Sequence, residues 1–87
     1  MIETDGMTKS IQVLYFAILR EQRGASRETR TTAAGTVAEL YEELRGQHGL
    51  RFPAEHLRAA INDEFTPWTT PLKPGDVVAF IPPVAGG

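Results

Sequence analysis

The chain has no cysteine. Disulfide staples, thiolate metal sites and cysteine nucleophiles are thereby excluded, so any sulfur chemistry must use sulfur that the sequence does not encode. An excess of positive charge is also missing: nine Lys and Arg stand against eleven Asp and Glu, for a formal net charge of -2. A nucleic-acid-binding surface would be clearly basic, and that class is set aside. Long apolar runs are lacking too. The longest, Val13 to Leu19, falls well short of the roughly 20 residues that span a bilayer. It has neither the basic flank nor the small-residue cleavage site of a signal peptide. The expected setting is the cytoplasm, with no membrane partner.

Side-chain catalysts are scarce. His48 and His56 have no Ser or Cys at a motif spacing, and two histidines with scattered carboxylates do not make a zinc signature. Both are expected to be surface histidines. No glycine-rich loop precedes a helix: Gly46 and Gly49 follow one, where C-caps belong. Glu39, Glu42 and Glu43 read as a solvated helix face. An autonomous enzyme is therefore not expected, nor a bound metal or cofactor.

What is present suits one small domain of 87 residues. Ile11 to Phe16 is β-branched and aromatic and predicts a strand. Ala17 to Arg23 suits one or two helical turns stopped by Gly24. Arg27 to Thr32, polar and threonine-rich, fits an exposed edge strand or hairpin partner. Thr36 can N-cap a helix, with Glu39 three residues on to complete a capping box. Val37, Leu40, Tyr41 and Leu44 then form an apolar stripe at i, i+3, i+4 and i+7, and Gly46 or Gly49 ends the helix. Leu57 to Ile61 reads as a strand rather than a short helix, because Asn62-Asp63-Glu64 supplies turn chemistry at once. Pro67 and Pro71 make Phe65 to Leu72 loop or edge. Lys73-Pro74-Gly75-Asp76 is a turn, and Val77 to Ile81 a final strand. The pattern is α+β: a sheet with one main helix packed on one face. Residues 1–9 are expected to be a disordered extension, with Met7 a second candidate start, residues 10–82 the domain, and residues 83–87 a flexible tail.

Two features exceed what a plain core requires. The first and last strands are apolar at both parities: Ile11, Val13 and Tyr15 with Leu14 and Phe16, then Val77, Ala79 and Ile81 with Val78 and Phe80. Burial on both faces needs a second cover, which one helix of about ten residues does not supply. A partner protein is one candidate; the other reading is apolar surface of the kind small domains leave exposed. Gln12 marks the Leu14/Phe16 parity as outward, while nothing polar chooses a parity in the last strand. The second feature is the end, Pro82-Pro83-Val84-Ala85-Gly86-Gly87. Two terminal glycines arise by chance in about 0.5% of proteins at a Gly usage of about 7%. Pro82 and Pro83 lack N–H donors and favour extended geometry, so pairing should stop there. Residues 83–87 can reach roughly 17 Å at about 3.4 Å each, and Gly86 and Gly87 can thread a narrow channel. Such a tail either frays or delivers its terminal carboxylate into another protein's active site. That carboxylate is ionised at neutral pH and a poor electrophile, and it would need activation, most simply as an acyl-adenylate made with ATP.

The segments Val13-Leu14-Tyr15-Phe16-Ala17-Ile18-Leu19-Arg20-Glu21, Thr36-Val37-Ala38-Glu39-Leu40, Ala60-Ile61-Asn62-Asp63-Glu64 and Pro71 to Gly87 resemble the MoaD/ThiS sulfur carriers over about residues 10–87. The last twelve residues carry the most specific part of the match. The resemblance implies a β-grasp, ubiquitin-like fold. It implies that an E1-like adenylyltransferase uses ATP to adenylate Gly87, and that a sulfur donor protein converts it to a thiocarboxylate. Gly86 would provide clearance. The tail would then enter the large subunit of molybdopterin synthase and give sulfur to cyclic pyranopterin monophosphate, in an assembly of two small and two large subunits. By the same resemblance Phe16, Phe65 and Ile81 form an apolar docking patch with Arg20 beside it, and Pro82, Pro83 and Val84 continue the contact. Alternatives are carriage of sulfur for thiamine or another thio-metabolite, a ubiquitin-like protein modifier, and an interaction domain with an inert tail. The longer N-terminus and Pro67-Trp68 depart from the family pattern.

Overall fold

The computed structural model describes residues 8–83. Five strands and two α-helices follow in the order β1 (Lys9–Tyr15), α1 (Ala17–Arg23), β2 (Arg27–Thr32), α2 (Val37–His48), β3 (Arg58–Ile61), β4 (Glu64–Thr66) and β5 (Val77–Ile81). A 3-10 turn at Ala54–His56 precedes β3. The sheet already includes Lys9, one residue before the expected domain boundary. Residues 1–7 and 84–87, which hold most of the expected extension and tail, lie outside the described residues.

The sheet order is β2-β1-β5-β3-β4. β1 and β5 run parallel at its centre, and the other neighbours are antiparallel. A parallel pair requires a crossover rather than a hairpin, and the long segment carrying α2 provides it. The result is a mixed sheet with one main helix on one face, the expected β-grasp. The segment from Phe65, expected as loop or edge, contributes the three-residue edge strand β4.

Local chemistry explains each boundary. Thr36 Oγ1 accepts a hydrogen bond from the Glu39 N–H at 3.2 Å, whereas the Glu39 carboxylate reaches past the cap to the Gly35 N–H at 2.7 Å. Half of the expected capping box is thus shifted by one residue. The next donors of α2 are taken by the Pro67–Thr70 loop: Val37 N–H donates to Thr70 O and Ala38 N–H to Trp68 O. Of the two glycines that could end α2, Gly49 does so at φ 69, with Gly46 inside the helix. Asn62 and Asp63, at φ 52 and 74, form the two-residue turn that joins β3 to β4. Short polar side chains tolerate that left-handed backbone.

The core lies between the inner sheet face and the two helices. Tyr41, Leu40, Leu44 and Val37 of α2 meet Ile11, Val13, Val78 and Phe80, all essentially without exposure. Phe80 contacts Tyr41 at 5.0 Å between ring centroids and stacks on Trp68 at 5.7 Å. Trp68, in the stretch that departs from the family pattern, therefore closes the open end of this core. Leu19 is the buried residue of α1. Both helices cover the same face, and the other is left bare.

Candidate functional site

Alternation along the strands sends Leu14, Val77, Ala79, Ile81, Ala60 and Phe65 to the bare face. The register confirms it, since Leu14 lies opposite Ala79 and Ala60 opposite both Ala79 and Phe65. With Phe16 these side chains surround a dimple of about 180 Å³. Phe65 is 62% exposed and Phe16 42%. The parity that Gln12 predicted for β1 holds, and β5 turns Ile81 to the same side while Val78 and Phe80 enter the core.

Phe16 owes its exposure to a backbone turn. It ends β1 in extended geometry, and Ala17 then adopts φ 53 before α1 begins. A non-glycine residue there costs about 1–2 kcal/mol. The turn throws Phe16 outward and lays α1 beside the end of β5. Between them opens a wider cleft of about 880 Å³, lined by Ile18, Arg20, Phe52, Pro82 and Pro83 among others. Phe16 and Ile81 line both the dimple and the cleft.

The sequence-predicted residues Phe16, Arg20, Phe65, Ile81, Pro82 and Pro83 thus converge on one end of the molecule. Pro82 is itself buried and Pro83, the last described residue, is exposed. Val84, Gly86 and Gly87 lie outside the described residues. Ile18, Phe52 and Arg58 were not anticipated. Ile18 had no clear sequence signal, because adjacent helical residues can both face a core, as Leu40 and Tyr41 of α2 do. Phe52 had none, because its place depends on the loop that follows α2.

A second cluster belongs to the covered face. Glu28 of β2 accepts hydrogen bonds from Tyr15 Oη at 2.7 Å and Arg23 Nε at 2.9 Å, and pairs with His48 Nε2 at 3.0 Å. Its other oxygen accepts from Arg30 at 3.2 Å, and Arg30 also binds Glu43 at 2.6 Å and Gln47. Burial alone would raise the Glu28 pKa, but the hydrogen bonds from Arg23, Tyr15 and Arg30 outweigh it and hold the carboxyl at about 2. Burial and the neighbouring carboxylate push the Tyr15 phenol well above its ordinary value. This corrects two expectations. His48 is not a surface histidine, since its side chain is 14% exposed against Glu28. Glu43 is not simply solvated, since it ties Arg30 and Thr32 to α2. Each charged side chain here pairs with an opposite partner, so the cluster fastens β2 to both helices. His56 is exposed as expected.

The ThiS family model matches residues 13–87. The molybdopterin synthase sulfur carrier subunit of Mycobacterium tuberculosis is 39% identical over 80 residues, covering 88% of this chain and 96% of that protein. A chain of the solved complex of subunits 1 and 2 of the molybdopterin-converting factor from Helicobacter pylori is similar at 32% identity, with a TM-score of 0.62 over 90% of this chain and 99% of that one. The crystal structure of SAMP1 from Haloferax volcanii superposes with a TM-score of 0.73 at 26% identity, covering 90% of this chain and 99% of that one.

Proposed function

The chain belongs to the ThiS family, and from that premise we propose that it is the sulfur-carrier small subunit of molybdopterin synthase. The observation that carries this reading is the apolar end formed by Phe16, Phe65 and Ile81, which Pro82 and Pro83 adjoin just ahead of Gly86-Gly87 in the sequence. A domain with an uncovered apolar face beside the root of a slim tail is built to dock and present that tail. It acts as a protein co-substrate rather than as an enzyme by itself.

The chemistry is then assigned to the terminal carboxylate. An E1-like adenylyltransferase transfers AMP from ATP to the Gly87 carboxylate, releasing pyrophosphate. The outer sulfur of a persulfide on a donor protein attacks the acyl carbon and AMP leaves; a thiol then cleaves the S–S bond of the acyl disulfide, so that Gly87 carries a thiocarboxylate and the thiol ends in a disulfide with the donor. The tail enters the large subunit and gives its sulfur to cyclic pyranopterin monophosphate. The dithiolene of molybdopterin needs two sulfurs, which fits two carriers flanking a large-subunit dimer. ATP is used by the activating enzyme, and the carrier itself holds no cofactor. The proposed setting is the cytoplasm; among the described residues no helix is long and apolar enough to cross a membrane.

The deciding experiment incubates the full chain with an E1-like enzyme, ATP and a sulfur donor and reads its intact mass. Replacement of one oxygen by sulfur at the C-terminal peptide is expected, followed by its reversal when large subunit and pterin substrate are added. High-molecular-weight conjugates in place of that exchange would support the modifier reading. No change of mass with competent partners would dismiss both.

A further inference from the structure

The arginines divide by face. Arg23, Arg30 and Arg45 each pair with a carboxylate, on Glu28, Glu43 or Glu42. Arg20, Arg27, Arg51 and Arg58 have no carboxylate partner among the described residues, and all of them lie on or next to the bare end. Arg27 stands directly opposite Leu14 on the outward face, and Arg58 directly opposite Ile81. Arg20 lines the cleft, and Arg51 precedes Phe52. No outward-facing strand position carries Asp or Glu, and Asp63 alone borders the dimple, although acidic residues outnumber basic ones in the chain.

Arg58 is the best defined of these. Its guanidinium carbon lies 4.4 Å from the centroid of the Phe65 ring. Stacking on the ring orients the fork while leaving its donors to solvent, so a carboxylate can be met bidentately at little ordering cost. An apolar centre framed by unpaired guanidinium groups calls for a partner with an apolar centre framed by carboxylates.

We propose that Arg27 and Arg58, with Arg20, form a guanidinium frame that selects a large subunit bearing carboxylates around its apolar docking centre. The proposal rests on the docking reading above and adds to it a specificity determinant. It also implies opposite polarities in that partner: acidic at the rim, and basic inside, where the negative tail must be received. Rim charges of this kind act on encounter rate and on rejection of wrong partners.

The test measures binding of the full chain to the synthase large subunit of the same organism, at about 0.05 and about 0.5 M salt. The parent should bind more weakly at high salt. The double variant Arg27→Glu/Arg58→Glu should lose roughly 100-fold or more at low salt and lose the salt dependence with it. Arg27→Lys/Arg58→Lys keeps the charge and the solubility of the face; a several-fold loss there points to the forked, stacked geometry. Circular dichroism checks folding, which these exposed positions should not disturb. Parent-like affinity and salt slope in the Glu variant would overturn the frame, as would a defect confined to adenylation by the activating enzyme. Phe65→Asp separates the two ideas. If it abolishes binding while the Glu variant binds normally, the docking surface stands without the frame. If it too binds normally, the docking reading itself falls.

Discussion

The two faces of one sheet use the same kinds of residue to opposite ends. On the covered face Phe80 is fully buried against Tyr41 and Trp68, and each charged group of the Glu28 cluster has a partner within hydrogen-bonding distance. On the bare face Phe65 is more than half exposed and arginines stand without carboxylates. Satisfied contacts on the first face stabilise the domain. Unsatisfied ones on the second are, in the proposed function, the interactions offered to another molecule. An aromatic residue's role therefore follows from which side of the strand it occupies and not from its type.

The comparison can be broken in several ways. The largest effect should come from removing Gly87, the proposed carrier of the thiocarboxylate. Sulfur transfer should vanish while denaturant-induced unfolding moves by no more than about 0.5 kcal/mol. A marked loss of stability would show that the tail belongs to the core. Next, Phe80→Ala should destabilise the isolated chain by about 3–5 kcal/mol, against no more than about 0.5 kcal/mol for Phe65→Ala at its exposed site. In binding to the large subunit, Phe65→Asp should be the more damaging of the Phe65 changes. Equal destabilisation by Phe80→Ala and Phe65→Ala would erase the distinction between the faces.

Glu28→Gln probes the charged part of the covered face, with an expected cost of about 2 kcal/mol near neutrality. The sign of its pH dependence follows from a carboxyl held at about 2 in the folded chain against an ordinary 4.5. Ionised Glu28 stabilises the fold fully above about pH 4.5, and that contribution is lost as pH falls toward about 2. The variant should therefore show a flatter decline of stability across this window, read by unfolding at a series of pH values. A slope identical to the parent's would mean that the carboxylate is not held by its partners. The smallest effect is expected at the junction of the faces. Ala17→Gly relieves a left-handed alanine and should stabilise the domain by up to about 1 kcal/mol. It should also loosen the placement of Phe16 and weaken docking slightly.

Much of this was legible in the residues. Helix α2 announced itself through Thr36 and the Val37/Leu40/Tyr41/Leu44 stripe, because capping and a 3.6-residue period act within a few residues of each other. Helix α1 and its stop at Gly24 were equally local. The outward parity of Leu14 and Phe16 followed from Gln12 by alternation, although the exposure of Phe16 also depends on the turn at Ala17. Less was legible where contacts are long-range. His48 looked like a surface residue because its partner Glu28 is 20 positions away on another element. Glu43 looked solvated for the same reason, with Arg30 hidden in a strand that read as a polar edge. Phe52 and Ile18 became neighbours of Pro83 only through the packing of α1 beside the end of β5.

By itself the sequence determined the α+β class, the bounds of most elements, the surplus of apolar strand residues and the Pro82-Pro83 lead into Gly86-Gly87. These depend on backbone dihedral preferences and short periodicities, which a linear chain displays directly. The tertiary structure decided which face stays bare, that Ile81 rather than Phe80 points into it, and that every arginine without a carboxylate partner among the described residues lies on or beside that end. The parallel pairing of β1 with β5 sets all three, by bringing together residues more than sixty positions apart. No local preference encodes such a pairing; it is selected by the burial of one shared core.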